Sequence, residues 1–574
     1  MAAPSPNPAL LPGPAKPSLR PIQTEATNPN PNDAYPEIKD TESPTQESSG
    51  SSLLGRAEST QKRAPGHGVR ISERFDDVIP HPDEVHHRNL VLCFDGTGDQ
   101  FDGDNSNIVE FFSMLKREDV TQQLVYYQAG IGTYTIPEVA SSIGASYQKL
   151  LDTMIGIHLD AHIMGGYEFL MQNYKAGDKI FIFGFSRGAY TARALAGMIH
   201  KIGLLPPCNH QQVPFAYKMY TQDDEQGWQQ SNAFKKTFGI DVDIEMVGVW
   251  DTVGSVGIVP RRLPFTKSNS HIRFFRHAIS LDERRARFKA NLWNRPTEED
   301  HATGVKKGEM PRHKTPERRA GTMGLHHSST MNGDTLRSGK SMSRSARDEL
   351  ERKYTDPDVE QPTDIEEVWF SGAHCDVGGG SVANGTRHCL ARIPLRWMIR
   401  QCFILKTGIL FHSTKFKEVG IDPATIYPHV LKRPPPILYT PGTLATRYAQ
   451  PINFAKDYKE TVKIRDPFIN EEEEDLLDSL TPIYDQLRLA SFWWALEMLP
   501  NRQRYQKADD SWTTKRGVNF GKGRTIPKQV ELGVNVHRTV HTRMSATDLF
   551  MDGNKKLRTY VPAAKWDIEP QWVD

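Results

Sequence analysis

Gly184-Phe185-Ser186-Arg187-Gly188 lies between an apolar run, KIFIFGF (179–185), and a stretch of good helix formers, AYTARALAGMIHKIG (189–203). A serine in a sharp strand-to-helix turn takes a strained backbone conformation, and bulky residues two positions away clash with it. Gly184 and Gly188 remove that clash. The turn lifts the hydroxyl above the sheet, at the N-terminus of the helix. There the Arg187 amide and the helix dipole can stabilise an oxyanion. The chemistry expected of Ser186 is nucleophilic attack on an acyl carbonyl.

Such attack needs a second oxyanion donor, a base and an acid. In this architecture an early strand-end loop supplies the donor. The loop after NLVLCFD (89–95) carries Gly96 and Thr97, where glycine allows close backbone approach. The base is a histidine and the acid orients it, in the chain order Ser, Asp or Glu, His. IEMVGVWD (244–251) places Asp251 where a strand meets a Gly-rich loop. EEVWFSGAH (366–374) places His374 at another strand end, before the glycine run 378–380. The carboxyl edge of an open α/β sheet is where such groups gather.

Competing residues have other readings. His277 is expected on an amphipathic helix, as a packing or surface residue. Asp376, two residues from His374, orients a loop or replaces Asp251 as the acid. Nothing around His388 suggests catalysis. FDGT (94–97) shares letters with the phosphatase motif of haloacid-dehalogenase-like enzymes. That motif needs an aspartate where this chain has Cys93. Asp99, Asp102 and Asp104 lack the glycine and distal glutamate of an EF-hand loop, so a solvated acidic loop is preferred over a metal site. A metal-assisted phosphoesterase built on Asp95 and Asp99 is a rival reading. No cofactor and no metal is expected.

Strands 89–95, 123–128, 179–185, 244–251 and 366–374 alternate with helical spacing at about 150–174, 189–203, 271–288 and 393–405. This predicts an α/β fold of the α/β-hydrolase type, a mainly parallel sheet with helices on both faces. Residues 1–85 are rich in Pro, Ser, Asn and Thr and are expected to be disordered. The hydrolase-like unit is expected over 86–405, broken by a polar insertion at 296–362. Residues 406–574 have weaker periodicity and many prolines, and are expected to pack on that unit. In this stretch Ser491-Phe492-Trp493-Trp494-Ala495-Leu496-Glu497-Met498-Leu499-Pro500 reads as a core helix, with peripheral membrane contact as the second reading.

The chain has 574 residues, 37% of them hydrophobic, with 71 Lys+Arg against 70 Asp+Glu. That balance gives no electrostatic case for nucleic acid. The 5 cysteines form no CxxC pair, so neither a disulfide framework nor a zinc site is suggested. The N-terminus has no secretory pattern. No run of about eighteen apolar residues marks a membrane span. A cytoplasmic location, peripheral to membranes at most, is the expectation.

The segments NLVLCFDGTGD, GFSRGAYTARALAGMIHKIGLL, VGVWDTVGSVG, HAISLDERRARF and FSGAHCDVGGG occur in this order. As a set they resemble the α/β-hydrolase domain shared by bacterial type VI secretion phospholipase effectors and many fungal proteins. The resemblance runs over about 89–400. It implies a Ser-Asp-His triad, which maps onto Ser186, Asp251 and His374. It also implies hydrolysis of lipid or phospholipid esters. The alternative function is a non-catalytic hydrolase-like module that binds a lipid or a partner.

Overall fold

The computed structural model describes residues 78–130, 159–254, 263, 264, 266, 271–293, 363–440, 468–506, 512–546 and 559–574, apart from single positions at 223, 492 and 528. Most of the expected disordered N-terminus and all of the polar insertion at 296–362 lie outside these residues. So do Leu151, Met154 and Ile155 of the helix expected from about 150.

Eight strands form one sheet: β1 Asn89–Phe94, β2 Gln123–Gln128, β3 Lys179–Phe185, β4 Ile244–Trp250, β5 Ile272–Ser280, β6 Asp364–Phe370, β7 Asn535–His537 and β8 Gln571–Val573. Their spatial order is β8-β7-β6-β5-β4-β3-β1-β2, and each neighbouring pair is parallel. This is the expected mainly parallel α/β sheet.

The central strands are buried on both faces, which is why they read as continuous apolar runs. Leu90, Leu92, Phe94, Ile180 and Ile182 pack on one face against α2 (Leu159–Asn173) and α3 (Ser186–Ile202). Val91, Cys93, Phe181 and Phe183 pack on the other, against α1 (Asn107–Met114) and α5 (Arg392–Ile404), with the short helix α4 (His374–Gly378) between them in the chain. Gly203 ends α3 at a φ of 71°, as its position in the sequence predicts.

The chain leaves β1 to one side for β2 and crosses to the other side for β3. The carboxyl ends of β1 and β3 therefore flank a topological switch point, where the sheet opens a crevice. The loop after β1 and the turn after β3 both emerge there.

Two expectations are corrected. Residues 271–288 are not a helix. They form β5 and an irregular loop. Both faces of this strand are covered, so the polar and apolar residues do not alternate. Arg276 is buried and bonded to Gln401 and Asp364. The fold also begins before 86: Val78–Ile79 pairs antiparallel with Phe411–His412, and Pro82–Glu84 forms a 3-10 turn.

Residues beyond 405 contribute β7 and β8 to the same sheet. A cluster of Ile279, Leu281 and Trp369 with Val534, Val536 and Val540 joins them to β5 and β6. The helix α6 (Glu471–Ser479) is tied to α5 by buried ion pairs, Arg396 with Asp475 and Asp478, and Arg400 with Glu471. Among the described residues, no helix is long and apolar enough to cross a membrane.

Candidate active site

Ser186 opens α3 directly after β3, with a φ of 58°. Only glycines fit on either side of it. A Cβ on Gly184 would come within 2.5 Å of the Gly188 carbonyl oxygen, and one on Gly188 within 2.3 Å of the Phe94 and Asp95 carbonyls. The turn is thereby pressed against the end of β1.

Asp251 follows β4 at a φ of 40°, and His374 opens α4 after β6. The three residues, separated by up to 188 positions, meet at the carboxyl rim. His374 Nε2 lies 2.7 Å from Ser186 Oγ, and Nδ1 lies 2.5 Å from Asp251 Oδ2. All three are buried. The imidazole sits between two rings, Phe185 at 4.8 Å and Phe288 at 4.9 Å between centroids. Its backbone amide donates to Glu283 Oε2 at 3.3 Å. A hydroxyl, imidazole and carboxylate linked in this order can pass the serine proton to Nε2 while the acid holds the tautomer with Nδ1 protonated.

Asp251 is held by more than the histidine. The Ser280 amide donates to its Oδ1 at 2.9 Å. Arg524 reaches across from residues far beyond β6 and clamps both carboxylate oxygens, Nη1 to Oδ1 at 2.5 Å and Nη2 to Oδ2 at 2.9 Å. Its remaining donors meet the carbonyls of Ser280 and Phe288. Burial alone would push the Asp251 carboxyl up, but Arg524 and His374 outweigh it and hold the group well below the usual carboxylate range. For His374 burial dominates. It lowers the imidazole below 6.5, although Asp251 pulls the other way.

The loop after β1 is built around Asp95. Its carboxylate accepts from Ser106 Oγ at 2.6 Å, Tyr127 Oη at 2.8 Å and the Gly96 amide at 2.8 Å. Ser106 also caps α1. The Gly96 amide, expected as an oxyanion donor, is thus committed to Asp95. Thr97 is the other expected donor. Its amide is in no such bond, and its Oγ1 is buried without a partner. Asp95 is fully engaged as a structural acceptor, which disfavours the phosphoesterase reading.

Asp376 does not take the acid's place. It accepts from the amides of Ala373 and Tyr484 and from Ser381 Oγ, so it ties the loop before α4 to residue 484. Burial raises its carboxyl to about 7. His277 stands on β5, not on a helix, and is wholly buried. Its Nδ1 is 2.8 Å from Glu367, and its Nε2 accepts from the Thr252 amide. His388 joins Glu474 and Asp478 in the one group with metal-ligand spacing among the described residues. Arg387, Arg392 and Arg396 already pair with those carboxylates, so the group is a charge network.

Arg524 escaped the motif reading, and the core reading of 491–500 left open that the segment packs behind His374. Trp493 stacks edge-on against Phe288 at 5.6 Å, with the Arg285 guanidinium over both rings. Glu497 is buried and accepts from Ala286, Asn519 and Gly521. The segment 491–500 therefore buries one face behind the histidine, while Trp494, Met498 and Leu499 stay exposed. No local string marks the Arg524 clamp, because Asp251 lies 273 residues away.

Residues 88–401 match the family model described as the catalytic domain of type VI secretion system Tle1-like phospholipase effectors. An uncharacterised protein of Saccharomyces cerevisiae is 29% identical over 542 residues, covering 78% of each chain. Two solved structures also match. An uncharacterised protein from Pseudomonas aeruginosa has 17% identity and a TM-score of 0.28, over 69% of this chain and 53% of that one. The Tle1 effector bound to the VgrG spike has 16% identity and a TM-score of 0.24, over 51% of each. The present chain spans about half the length of those two. With its matched residues covering more than half of the sequence, the chain belongs to the family defined by the Tle1-like phospholipase effector catalytic domain.

Proposed function

We propose that the chain is a serine hydrolase that cleaves carboxylic esters of lipids or phospholipids. The observation that carries this reading is the continuous link from Ser186 Oγ through His374 to Asp251, at 2.7 and 2.5 Å. Ser186 attacks the acyl carbonyl as His374 Nε2 takes its proton. Asp251 acts through the ring, orienting it and stabilising the imidazolium that forms. The amides of Arg187 and Thr97 hold the tetrahedral oxyanion, with the first turn of α3 adding its positive end. His374 then returns the proton to the leaving alcohol, and water releases the acid by the same steps in reverse. The chemistry calls for no cofactor. The lipid class rests on family membership, since the fold alone does not select a substrate.

A panel of acyl esters and phospholipids, run on wild type and Ser186→Ala, tests the reading. Turnover of at least one ester, lost by about three orders of magnitude or more in Ser186→Ala, is the expected result. A folded wild type that binds lipid but turns over no ester would mark a binding module instead.

A further inference from the structure

Arg187, next to the nucleophile, is 8% exposed, and its Nη1 is buried with no hydrogen-bond partner. Every other buried arginine among the described residues has a carboxylate, carbonyl or ring partner. Arg524 has Asp251, Arg285 has Glu283 and Arg276 has Asp364. Arg193 has the Asn291 carbonyl and Arg543 the Thr481 carbonyl, and the rest belong to the α5–α6 network and its neighbour at Glu472. Burying a guanidinium without an anion costs several kcal/mol, on the order of the penalty for any unpaired buried ion. Arg193, Arg400, Arg538 and Arg543 also leave a guanidinium nitrogen unbonded, but each keeps a carboxylate or carbonyl partner, and Arg187 beside the reactive serine has neither among the described residues.

The surroundings are consistent with a missing anion. Burial pulls Arg187 down to about 10, and no carboxylate offsets it. Asp251 is paired with Arg524 and His374, and Glu283 with Arg285, so neither is the partner of Arg187. Side chains on a helix lean toward its N-terminus, so an arginine on the first turn of α3 leans toward the rim where Ser186 stands. The same turn carries the positive end of a 17-residue helix.

We infer that Arg187 is a specificity residue, binding an anionic group, phosphoryl or carboxylate, that the ester substrate carries close to its scissile carbonyl. The guanidinium fork matches both oxyanion types in a bidentate fashion. This inference rests on the serine-hydrolase reading and narrows its substrate class to acidic esters.

The test uses three esters with one acyl chain: an acylglycerol, the corresponding acylglycerol 3-phosphate and the acyl ester of glycerate. The quantity read is the ratio of kcat/KM for each charged ester to that for the neutral one, in wild type, Arg187→Lys and Arg187→Met. Wild type should favour at least one charged ester, and which one identifies the anion. Arg187→Met should lower that ratio by about tenfold or more, with Arg187→Lys between. A ratio unchanged in Arg187→Met overturns the inference, because a residue that only shapes the turn or steadies the oxyanion slows all three esters alike. A second arm needs no turnover. In Ser186→Ala, calorimetric binding of the acylglycerol 3-phosphate and of the acylglycerate should weaken about tenfold or more for the favoured ligand when Arg187→Met is added. Unchanged binding of both sinks the inference on its own. If wild type hydrolyses none of the three esters, or any other, it is the hydrolase reading that fails, and the binding arm still decides the anion site.

Discussion

At the scale of single residues, the site depends on two strained backbones and one depressed imidazole. Ser186 and Asp251 both hold positive φ, a conformation that costs about 1–3 kcal/mol each and persists where the surroundings impose it. The glycines at 184 and 188 and the bonds from Ser280 and Arg524 are what impose it. The pH dependence follows from His374. Only the neutral ring can accept the serine proton, and its neutral fraction rises as pH climbs through its pKa. Burial sets that value below 6.5, so the acid limb of kcat/KM should lie below pH 6.5 and activity should be level by neutrality. A limb centred above pH 6.5 would contradict the assignment. The meeting of Ser186, Asp251 and His374 at one rim was legible in the sequence because each was placed at the end of a strand that reads clearly. The Gly96 amide was misassigned because its bond to Asp95 depends on a carboxylate orientation that spacing does not reveal.

At the scale of elements, one edge of the sheet is completed by β7 and β8 from the last residues of the sequence. The strands β1, β3, β4 and β6 were readable as apolar runs bounded by turn residues. The strand β5 was not, since buried polar residues such as Arg276 and His277 interrupt its apolar run. Arg524 is the element-scale counterpart of this problem: it lies 273 residues from the carboxylate it clamps. Removing it should both destabilise the fold and alter the titration of the site. Arg524→Gln leaves Asp251 buried with one partner fewer, at a cost of about 3–5 kcal/mol. It also removes a cation from beside the imidazolium, so the His374 pKa should rise and the acid limb should move to higher pH. Equilibrium unfolding and a pH profile measure the two effects. Loss of stability with an unmoved limb would reduce Arg524 to a purely structural role.

At the scale of the whole molecule, the residues beyond the family match are part of the same unit. They supply β7, β8, the Arg524 clamp, the Trp493 and Glu497 packing behind His374, and the buried charge network of α5 and α6. That network should be a principal tie between the segments. Arg396→Met takes one cation from each of Asp475 and Asp478, which keep Arg433 and Arg392, and should lower stability by about 2–3 kcal/mol in a denaturant titration. A loss under about 1 kcal/mol would show that the segments are held by apolar packing instead. That 406–574 packs on the hydrolase-like unit and that 491–500 is core were expected from the sequence; β7, β8, the Arg524 clamp and the charge network were not visible there, because ion pairs between distant helices leave no periodic trace. The most direct measurement of the central claim is labelling of the intact chain with a fluorophosphonate, which reacts with activated serines, followed by peptide mass spectrometry. Labelling should fall on the peptide containing Ser186, vanish in Ser186→Ala and slow as pH drops below 6.5. A folded wild type that takes no label, or labelling that survives Ser186→Ala unchanged, would contradict it.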